Sequence, residues 1–219
     1  MSRTPPAPPL AEQVAELLAR PGPLPLVTAG DPVLRRPAEP FEGQLDDALL
    51  GRFVAALRET MHAAPGVGVA APQVGVGLRI AVLEDPAEVD AEVREARGRV
   101  PLPFRVLVNP VYEAVDGERA AFFEGCLSVP GYQAVVARHA RVRLRALDGR
   151  GRAVVEEYAG WPARIVQHET DHLGGTLYLD RAEPRSLVSA PQAPRWTQPT
   201  PHAAARALGF DLPPEPEPR

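Results

Sequence analysis

The sequence predicts an α+β fold in a single domain, with antiparallel sheets around one central helix and with proline-rich chain ends. Short apolar runs typical of strands occupy the middle of the chain, and a helical pattern follows them between residues 161 and 175. Prolines concentrate at the two ends, with 7 of the 27 in residues 1–25 and 9 in residues 184–219. With 219 residues, of which 45% are hydrophobic, the chain is long enough to bury one core.

The proline distribution sets the expected domain boundaries. Residues 1–25 form a proline-rich N-terminal extension, in which residues 11–19 are compatible with a short helix before Pro21. Residues 26–182 form the folded body. Residues 183–219 are expected to be a flexible C-terminal tail, because proline-rich segments tend to stay extended rather than pack into a core.

The first half of the body contains one helix and two strands. An apolar residue at every fourth position from Leu45 to Met61 predicts an amphipathic helix that packs on the core. The apolar runs 78–83 and 105–108 predict strands. Residues 85–98 between them are charged, and we expect a surface excursion with a helical turn.

A hairpin follows in the second half. Residues 141–147 alternate arginine with apolar residues, Asp148-Gly149 supplies a turn, and residues 153–158 return as the partner strand. The arginine row is compatible with a phosphate-binding face or with an ordinary solvated strand face. The solvated face is favoured, because the net charge is -4 and the chain has no basic stripe typical of nucleic-acid binding.

The last helix of the body carries the most informative motif. It begins near Trp161-Pro162 and ends near Gly174-Gly175, so the string HETDH lies in its second half. His168 and His172, four residues apart, lie about 40° apart around the helix axis, and both imidazoles can therefore hold one divalent metal. Glu169 can reach a metal-bound water without binding the metal itself, which is the arrangement of a metallohydrolase.

The lone cysteine is the best candidate for a third ligand. Cys126 lies in Glu124-Gly125-Cys126-Leu127-Ser128, just after an expected strand at residues 120–123. A single cysteine is more often a small core residue, but the HExxH helix reverses that preference, because two histidines leave a metal short of ligands. One cysteine allows no intrachain disulfide, which fits a reducing cytoplasmic setting.

A glycine-rich segment at residues 66–73 completes the expected site. Its small residues let the backbone approach a ligand closely, and Gln73 is its only long polar side chain. The Gln73 amide can donate to an oxyanion if it faces the site. The alternative is a glycine-rich turn with Gln73 exposed to solvent.

These three segments, GVGVAAPQ, EGCLS and QHETDHLGG, resemble in order and separation the signature motifs of the peptide deformylases. The second and third match in full, whereas the first has Val69 where that family usually has leucine. The resemblance covers about residues 26–182, which would be the catalytic domain.

The resemblance implies a metal-dependent hydrolase that removes the N-formyl group from the N-terminal formylmethionine of new proteins and releases formate. It implies that Cys126, His168 and His172 hold the metal, with Fe²⁺ expected and with Zn²⁺, Ni²⁺ or Co²⁺ as alternatives. Glu169 would be the proton-transfer group. Gln73 and the Leu127 N–H would stabilise the oxyanion.

Position beside these motifs suggests further roles. Gly68 and Val67 are expected to bind substrate, with Val129 and Ile165 as further candidates for an apolar methionine pocket. Glu124 is expected to need a cation, for which Arg138 is the candidate. Asp171, about 100° from His172 around the helix, is expected to support the ligands or to cap the helix. The remaining histidines are expected to be ordinary surface or core residues: His62, His139 and His202.

Two other functions compete with this interpretation. An HExxH zinc peptidase would take its third ligand from downstream, where Asp180, Glu183 and His202 are the candidates, but it does not require EGCLS or GVGVAAPQ. A catalytically silent, metal-stabilised and ribosome-associated binding protein would not require Glu169 or Gln73. The expected partners are therefore N-formylmethionyl nascent peptides, with the ribosome as a further one, and neither nucleic acid nor a membrane.

Overall fold

The computed structural model describes residues 9–197 and 199–213. The helices in this part of the chain are α1 (Leu10–Leu18), α2 (Asp47–Ala63), α3 (Ala91–Ala96), α4 (Gly160–Leu173), α5 (Ala193–Trp196) and α6 (His202–Leu208). The strands are β1 (Gly68–Ala70), β2 (Ile80–Asp85), β3 (Leu102–Ala114), β4 (Arg119–Cys126), β5 (Val129–His139), β6 (Arg141–Leu147), β7 (Ala153–Ala159) and β8 (Val188–Ser189). None of the helices in these ranges has the length and apolar character required to cross a bilayer.

The strands form two antiparallel sheets, as the predicted α+β class requires. One sheet has five strands in the order β1-β2-β3-β6-β7, and the other has three in the order β4-β5-β8 among the described residues. Helix α4 packs on both, and its apolar residues Ile165, Val166 and Leu173 share one core cluster with Leu83 and Leu144 of the large sheet. The central helix of the prediction is therefore α4.

The apolar repeat of α2 and the arginine row of β6 form the elements that their sequence patterns predict. Helix α2 buries Phe53, Leu57 and Met61 completely, so its apolar residues face the core as their spacing indicates. On β6, Arg143 pairs with Glu157 and Arg145 with Glu113, all with exposed side chains. The solvated interpretation of the arginine row is confirmed.

The charged excursion between β2 and β3 is anchored rather than loose. Asp85 is fully buried and accepts two hydrogen bonds from Arg99, at 2.8 and 2.9 Å, so the two ends of the excursion are held together. Helix α3 forms between them and buries Val93. The expected helical turn is thus a short helix, and it lies near the start of α4, where the Trp161 N–H donates to Gly98 O.

Much of the segment after residue 183 is folded, which differs from the flexible tail expected from its prolines. Strand β8 pairs with β5, and Val188, Ala193 and Ala204 form a core cluster with Phe123 and Val135. The segment carries enough apolar residues to cover the small sheet. Pro194 and Pro201 lie at helix starts, where a missing N–H costs little. Residues 1–8, 198 and 214–219 of the predicted end segments lie outside the described residues.

Candidate metal centre

Helix α4 and the end of β4 bring the three predicted ligands together. His168 and His172 lie one turn apart on α4, with ring centroids 4.9 Å apart. The strand pairing shifts register at Cys126, and the Cys126 Sγ lies 3.3 Å from His172 Nε2. One donor atom from each of the three residues lies within 4.8 Å of the others.

This donor set fits a divalent transition metal. A thiolate with two imidazoles suits iron, zinc, nickel or cobalt, and three protein ligands leave a position open for water. Burial lowers the pKa of His172 well below its ordinary value and so favours the neutral imidazole, which is the form that binds metals. Across the described residues, these three are the group of cysteine, histidine and acidic side chains close enough to hold an ion.

Glu124 orients the first histidine. Its Oε2 lies 3.0 Å from His168 Nδ1, which as a donor would leave Nε2 free to bind a metal. Arg138 donates to both carboxylate oxygens, at 2.6 and 2.9 Å, and Arg164 donates to Oε1 at 2.5 Å. Burial alone would raise the pKa of Glu124, but the two guanidinium groups hold it well below its usual range. The predicted pairing with Arg138 is present, whereas Arg164 was not foreseen.

Asp171 is outside the Cys126, His168 and His172 group and joins the same charged network. It accepts hydrogen bonds from Arg138 Nη1 at 2.8 Å, from Arg181 at 2.8 and 3.1 Å, and from the Tyr112 hydroxyl at 3.0 Å. Arg138 therefore bridges two buried carboxylates, one on β4 and one on α4. Asp171 has the supporting position expected from its place on the helix.

Glu169 is a buried carboxylate beside the histidines. It is 4% exposed, and burial raises its pKa to about 7. Its Oε2 has no hydrogen-bond partner within the described ranges. A Cβ atom at Gly68 would lie only 2.3 Å from Oε1, so this glycine leaves room for the carboxylate. The close approach expected of Gly68 is thus first of all an approach to Glu169.

Gln73 faces the site, so the solvent-exposed alternative was wrong. It is 1% exposed, and its Oε1 accepts a hydrogen bond from the Ala70 N–H at 2.9 Å. That bond orients the amide nitrogen, which lies 3.6 Å from Cys126 Sγ and 3.4 Å from Ser128 Oγ. A donor is therefore held beside the candidate ligands.

A cleft of about 670 Å³ opens onto these groups. Its lining includes most of the residues predicted from position: Val67, Gly68, Gln73, Cys126, Leu127, Val129, Ile165, His168 and Glu169. Arg97, Arg99 and Trp161 also line it and were not foreseen. Arg97 and Arg99 come from the excursion between β2 and β3, and only the fold brings that segment to the cleft. Arg164 lies four residues before His168 on the same helix face, so helical spacing alone could have indicated that it is close to the site.

The residues that the competing peptidase interpretation requires are elsewhere. Asp180 accepts hydrogen bonds from Arg35 and from the Leu177 N–H, and Glu183 caps a short 3-10 helix. His62 pairs with Glu84 at 2.7 Å on the surface. Neither these residues nor His139 and His202 belong to the Cys126 group.

Comparison with known proteins finds sequences that are similar over most of this chain. The family model for polypeptide deformylase matches residues 23–187. Peptide deformylase 1 of Streptomyces coelicolor is 75% identical over 206 residues, which cover 94% of this chain and 94% of that protein. The similarity therefore includes most of the segment beyond residue 187.

Solved structures show the same fold. A class I type b peptide deformylase from Acinetobacter baumannii with Met-Ala-Ser bound is 34% identical, with a TM-score of 0.65 over 73% of this chain and 98% of that one. A peptide deformylase from Synechococcus elongatus in complex with actinonin is 33% identical, with a TM-score of 0.63 over 89% of this chain and 90% of that one.

Proposed function

Because the chain belongs to the peptide deformylase family, we propose that Cys126, His168 and His172 hold its metal ion and that Glu169 transfers the protons of the reaction. The enzyme is a metal-dependent hydrolase that removes the N-formyl group from nascent peptides and releases formate. The observation that carries the residue roles is the convergence of three donor atoms within 4.8 Å beside a buried carboxylate.

Glu169 is the group suited to the proton transfers. A divalent metal at the three ligands would act as a Lewis acid and would lower the pKa of a water toward neutrality. Glu169 accepts a proton from the water whose oxygen attacks the formyl carbon. The C–N bond then breaks, Glu169 returns the proton to the departing amine, and formate leaves. Among the described residues Glu169 Oε2 has no hydrogen-bond partner, which supports this role.

Gln73 and Leu127 stabilise the negative charge that develops on the formyl oxygen. The Gln73 amide nitrogen is held beside Cys126 Sγ by the bond from Ala70 to the other end of the amide. The Leu127 N–H follows the cysteine directly. Donors already in place need no reorganisation when the charge develops, which is why such groups contribute strongly to catalysis.

The peptide lies along β1 as an added strand. Strand β1 is at the edge of the five-stranded sheet and borders the cleft at Gly68. An edge strand offers free backbone groups to an extended peptide. Val67, Val129 and Ile165 line the same cleft and supply an apolar pocket for the methionine side chain.

Iron is the ion we propose for the native enzyme, with Zn²⁺, Ni²⁺ and Co²⁺ as ions that the same ligands accept. The argument is the ligand chemistry, since a thiolate is softer than a carboxylate and donates more charge than a third imidazole. We propose that the enzyme acts in the cytoplasm on chains that emerge from the ribosome, because its substrate is the N-terminus of a newly made protein.

The test is formate release from formyl-Met-Ala-Ser by protein purified without oxygen and loaded separately with ferrous, nickel or zinc ions. We expect the ferrous form to turn over fastest, and Cys126→Ala to lose metal and more than about a hundredfold of the activity. Val155→Ala, an exposed change on β7, is the control. Full activity of Cys126→Ala would remove the thiolate from the ligand set, and turnover restricted to zinc would overturn the assignment of iron.

Replacing Gly68 with alanine tests the close approach to Glu169. The added methyl would meet the Glu169 carboxylate at 2.3 to 2.6 Å, so this side chain must move. We expect kcat to fall about a hundredfold, because displacement of a catalytic group by about 1 Å has effects of that size, whereas folding should change little. The control is Gly51→Ala on α2, where a Cβ meets nothing within 4 Å. Unchanged kcat in Gly68→Ala would show that the position of Glu169 is not critical.

A further inference from the structure

A second cavity, of about 420 Å³, lies between the deformylase body and the segment that follows it. On the body side it is lined by the turn after α3, the start of α4 and the paired strands β4 and β5. On the other side it is lined by Thr200, Pro201, His202, Leu212 and Pro213. These five residues lie beyond residue 187, where the family match ends. We call this space the C-terminal cavity.

The charged side chains that line the C-terminal cavity, among the residues that the structure describes, are arginines. Arg97, Arg119 and Arg164 line it together with His139 and His202, and no carboxylate is among the described lining residues. Arg164 is neutralised by Glu124. Arg119 is directly opposite His139 across the β4–β5 pair, and it forms no ion pair within the described ranges.

Arg97 is the most unusual of these groups, because it is a buried cation with no carboxylate partner among the residues that the structure describes. It is 8% exposed, and its hydrogen bonds to described residues go to backbone oxygens, from Nη2 to Thr197 at 2.6 Å and from Nε to Pro199 at 3.4 Å. Burial and the like charges of Arg99 and Arg164 lower its pKa to about 10, so it is still charged at neutral pH. A buried charge is normally paired with an opposite charge. Within the described chain Arg97 has no carboxylate partner, and its guanidinium carbon lies only over the rings of Trp161 and Phe122, 4.8 and 5.8 Å from their centroids.

The rest of the cavity wall is apolar and made of small residues. Ala96, Ala120, Ala121 and Ala140 leave space, and Phe122 and Leu212 provide larger apolar surfaces. A volume of about 420 Å³ is within the usual range for a small-molecule site, and such sites combine an apolar lining with a few polar groups. The start of α4 at Gly160 adds the positive end of a helix dipole.

We propose that the C-terminal cavity binds a small organic anion, with a carboxylate or phosphate head group near Arg97 and Arg119 and a short apolar body against Phe122 and Leu212. The ligand would contact both the body and the segment after residue 187, and would therefore stabilise the packing of this segment on the body. Arg164 also lines the cavity and contacts Glu124, which orients His168. The bound anion would therefore lie next to the Arg164–Glu124 pair.

Calorimetric titration of the full, metal-loaded chain tests the proposal without reference to catalysis. The probes are hexanoate, its uncharged analogue hexanamide, and phenyl phosphate. We expect both anions to bind and to raise the melting temperature, and hexanamide to bind at least about tenfold more weakly than hexanoate because it lacks the charge. The ratio of the two anion affinities distinguishes a carboxylate site from a phosphate site.

Two variants separate this cavity from the catalytic metal, which an anion could also reach. Arg119→Gln removes an exposed charge that lines the C-terminal cavity and not the cleft, and we expect it to weaken hexanoate binding about tenfold. Arg97→Met should weaken it further, but it also removes the bonds to Thr197 and Pro199, so Arg119→Gln is the decisive variant. Arg52→Gln, an exposed change on α2, is the matched control.

The possible results divide cleanly. Charge-selective binding that weakens in Arg119→Gln but not in Arg52→Gln supports the proposal. Equal binding of hexanoate and hexanamide would mean an apolar cavity with no anion preference and would overturn it. Binding that is unchanged in Arg119→Gln would place the anion at the metal, and no binding of any probe would mean that the cavity does not take such an anion. Either result would overturn the proposal.

Discussion

Glu169→Gln is expected to lower kcat for formyl-Met-Ala-Ser by about a hundredfold to ten-thousandfold, while the protein still binds one metal ion per chain. The amide has the size and shape of the carboxylate but does not accept a proton, and positioned proton transfer contributes factors of this size. Because Glu169 Oε2 has no hydrogen-bond partner in the described structure, the change breaks no bond from that atom and the fold should be retained. Two quantities are measured, the rate of formate release and the metal content per chain.

Glu59→Gln on the exposed face of α2 is the matched control, because it makes the same chemical change far from the cleft. Its kcat should equal that of the unmodified enzyme. Retention of more than about a tenth of the activity by Glu169→Gln, with metal bound, would contradict the proton-transfer role. A loss of less than about tenfold is smaller than the contribution of a general base. Loss of metal together with activity would instead give Glu169 a part in holding the site together.

The candidate site was predictable from sequence to the extent that it depends on local spacing. His168, Glu169 and His172 are on one helix, where the positions of side chains follow from residue number alone. Cys126 lies on another element, and its motif rather than its spacing indicated it. The sequence permits two orientations of Gln73, because the choice between them depends on the bond from Ala70, which only the folded turn shows.

Contacts between distant segments account for most of what the sequence did not predict. The excursion after Asp85 is rich in charged residues, which is typical of exposed chain. The sequence does not show that Asp85 pairs with Arg99, fourteen residues later. Strand β5 was missed because Pro130 and Gly131 interrupt its start. The segment after residue 183 looked flexible by composition, yet its few apolar residues are those that cover the small sheet. Composition describes the average of a segment, whereas packing depends on where its apolar residues lie.

Arg138→Met is expected to cost about 3–5 kcal/mol of folding free energy and to lower metal affinity about tenfold to a hundredfold. Arg138 is 2% exposed and joins Glu124 to Asp171, so its loss leaves two buried carboxylates with one guanidinium each, from Arg164 and Arg181. Glu124 would then hold His168 less firmly. Urea unfolding at matched metal saturation measures the first effect, and competition with a chelator measures the second.

Arg181→Met is the control that separates the two halves of this network. Arg181 also donates to Asp171, at 2.8 and 3.1 Å, but its side chain is 45% exposed and it does not contact Glu124. We expect it to cost less than Arg138→Met, on the order of 1 kcal/mol, because Arg181 is partly exposed and Asp171 keeps its bond to Arg138, and to leave metal affinity unchanged. If both variants lose metal equally, the loss of metal affinity would arise through Asp171, which both arginines contact. If only Arg138→Met does, the route from the buried arginine to the metal runs through Glu124 and His168, and the charge network behind the site sets how firmly the ion is held.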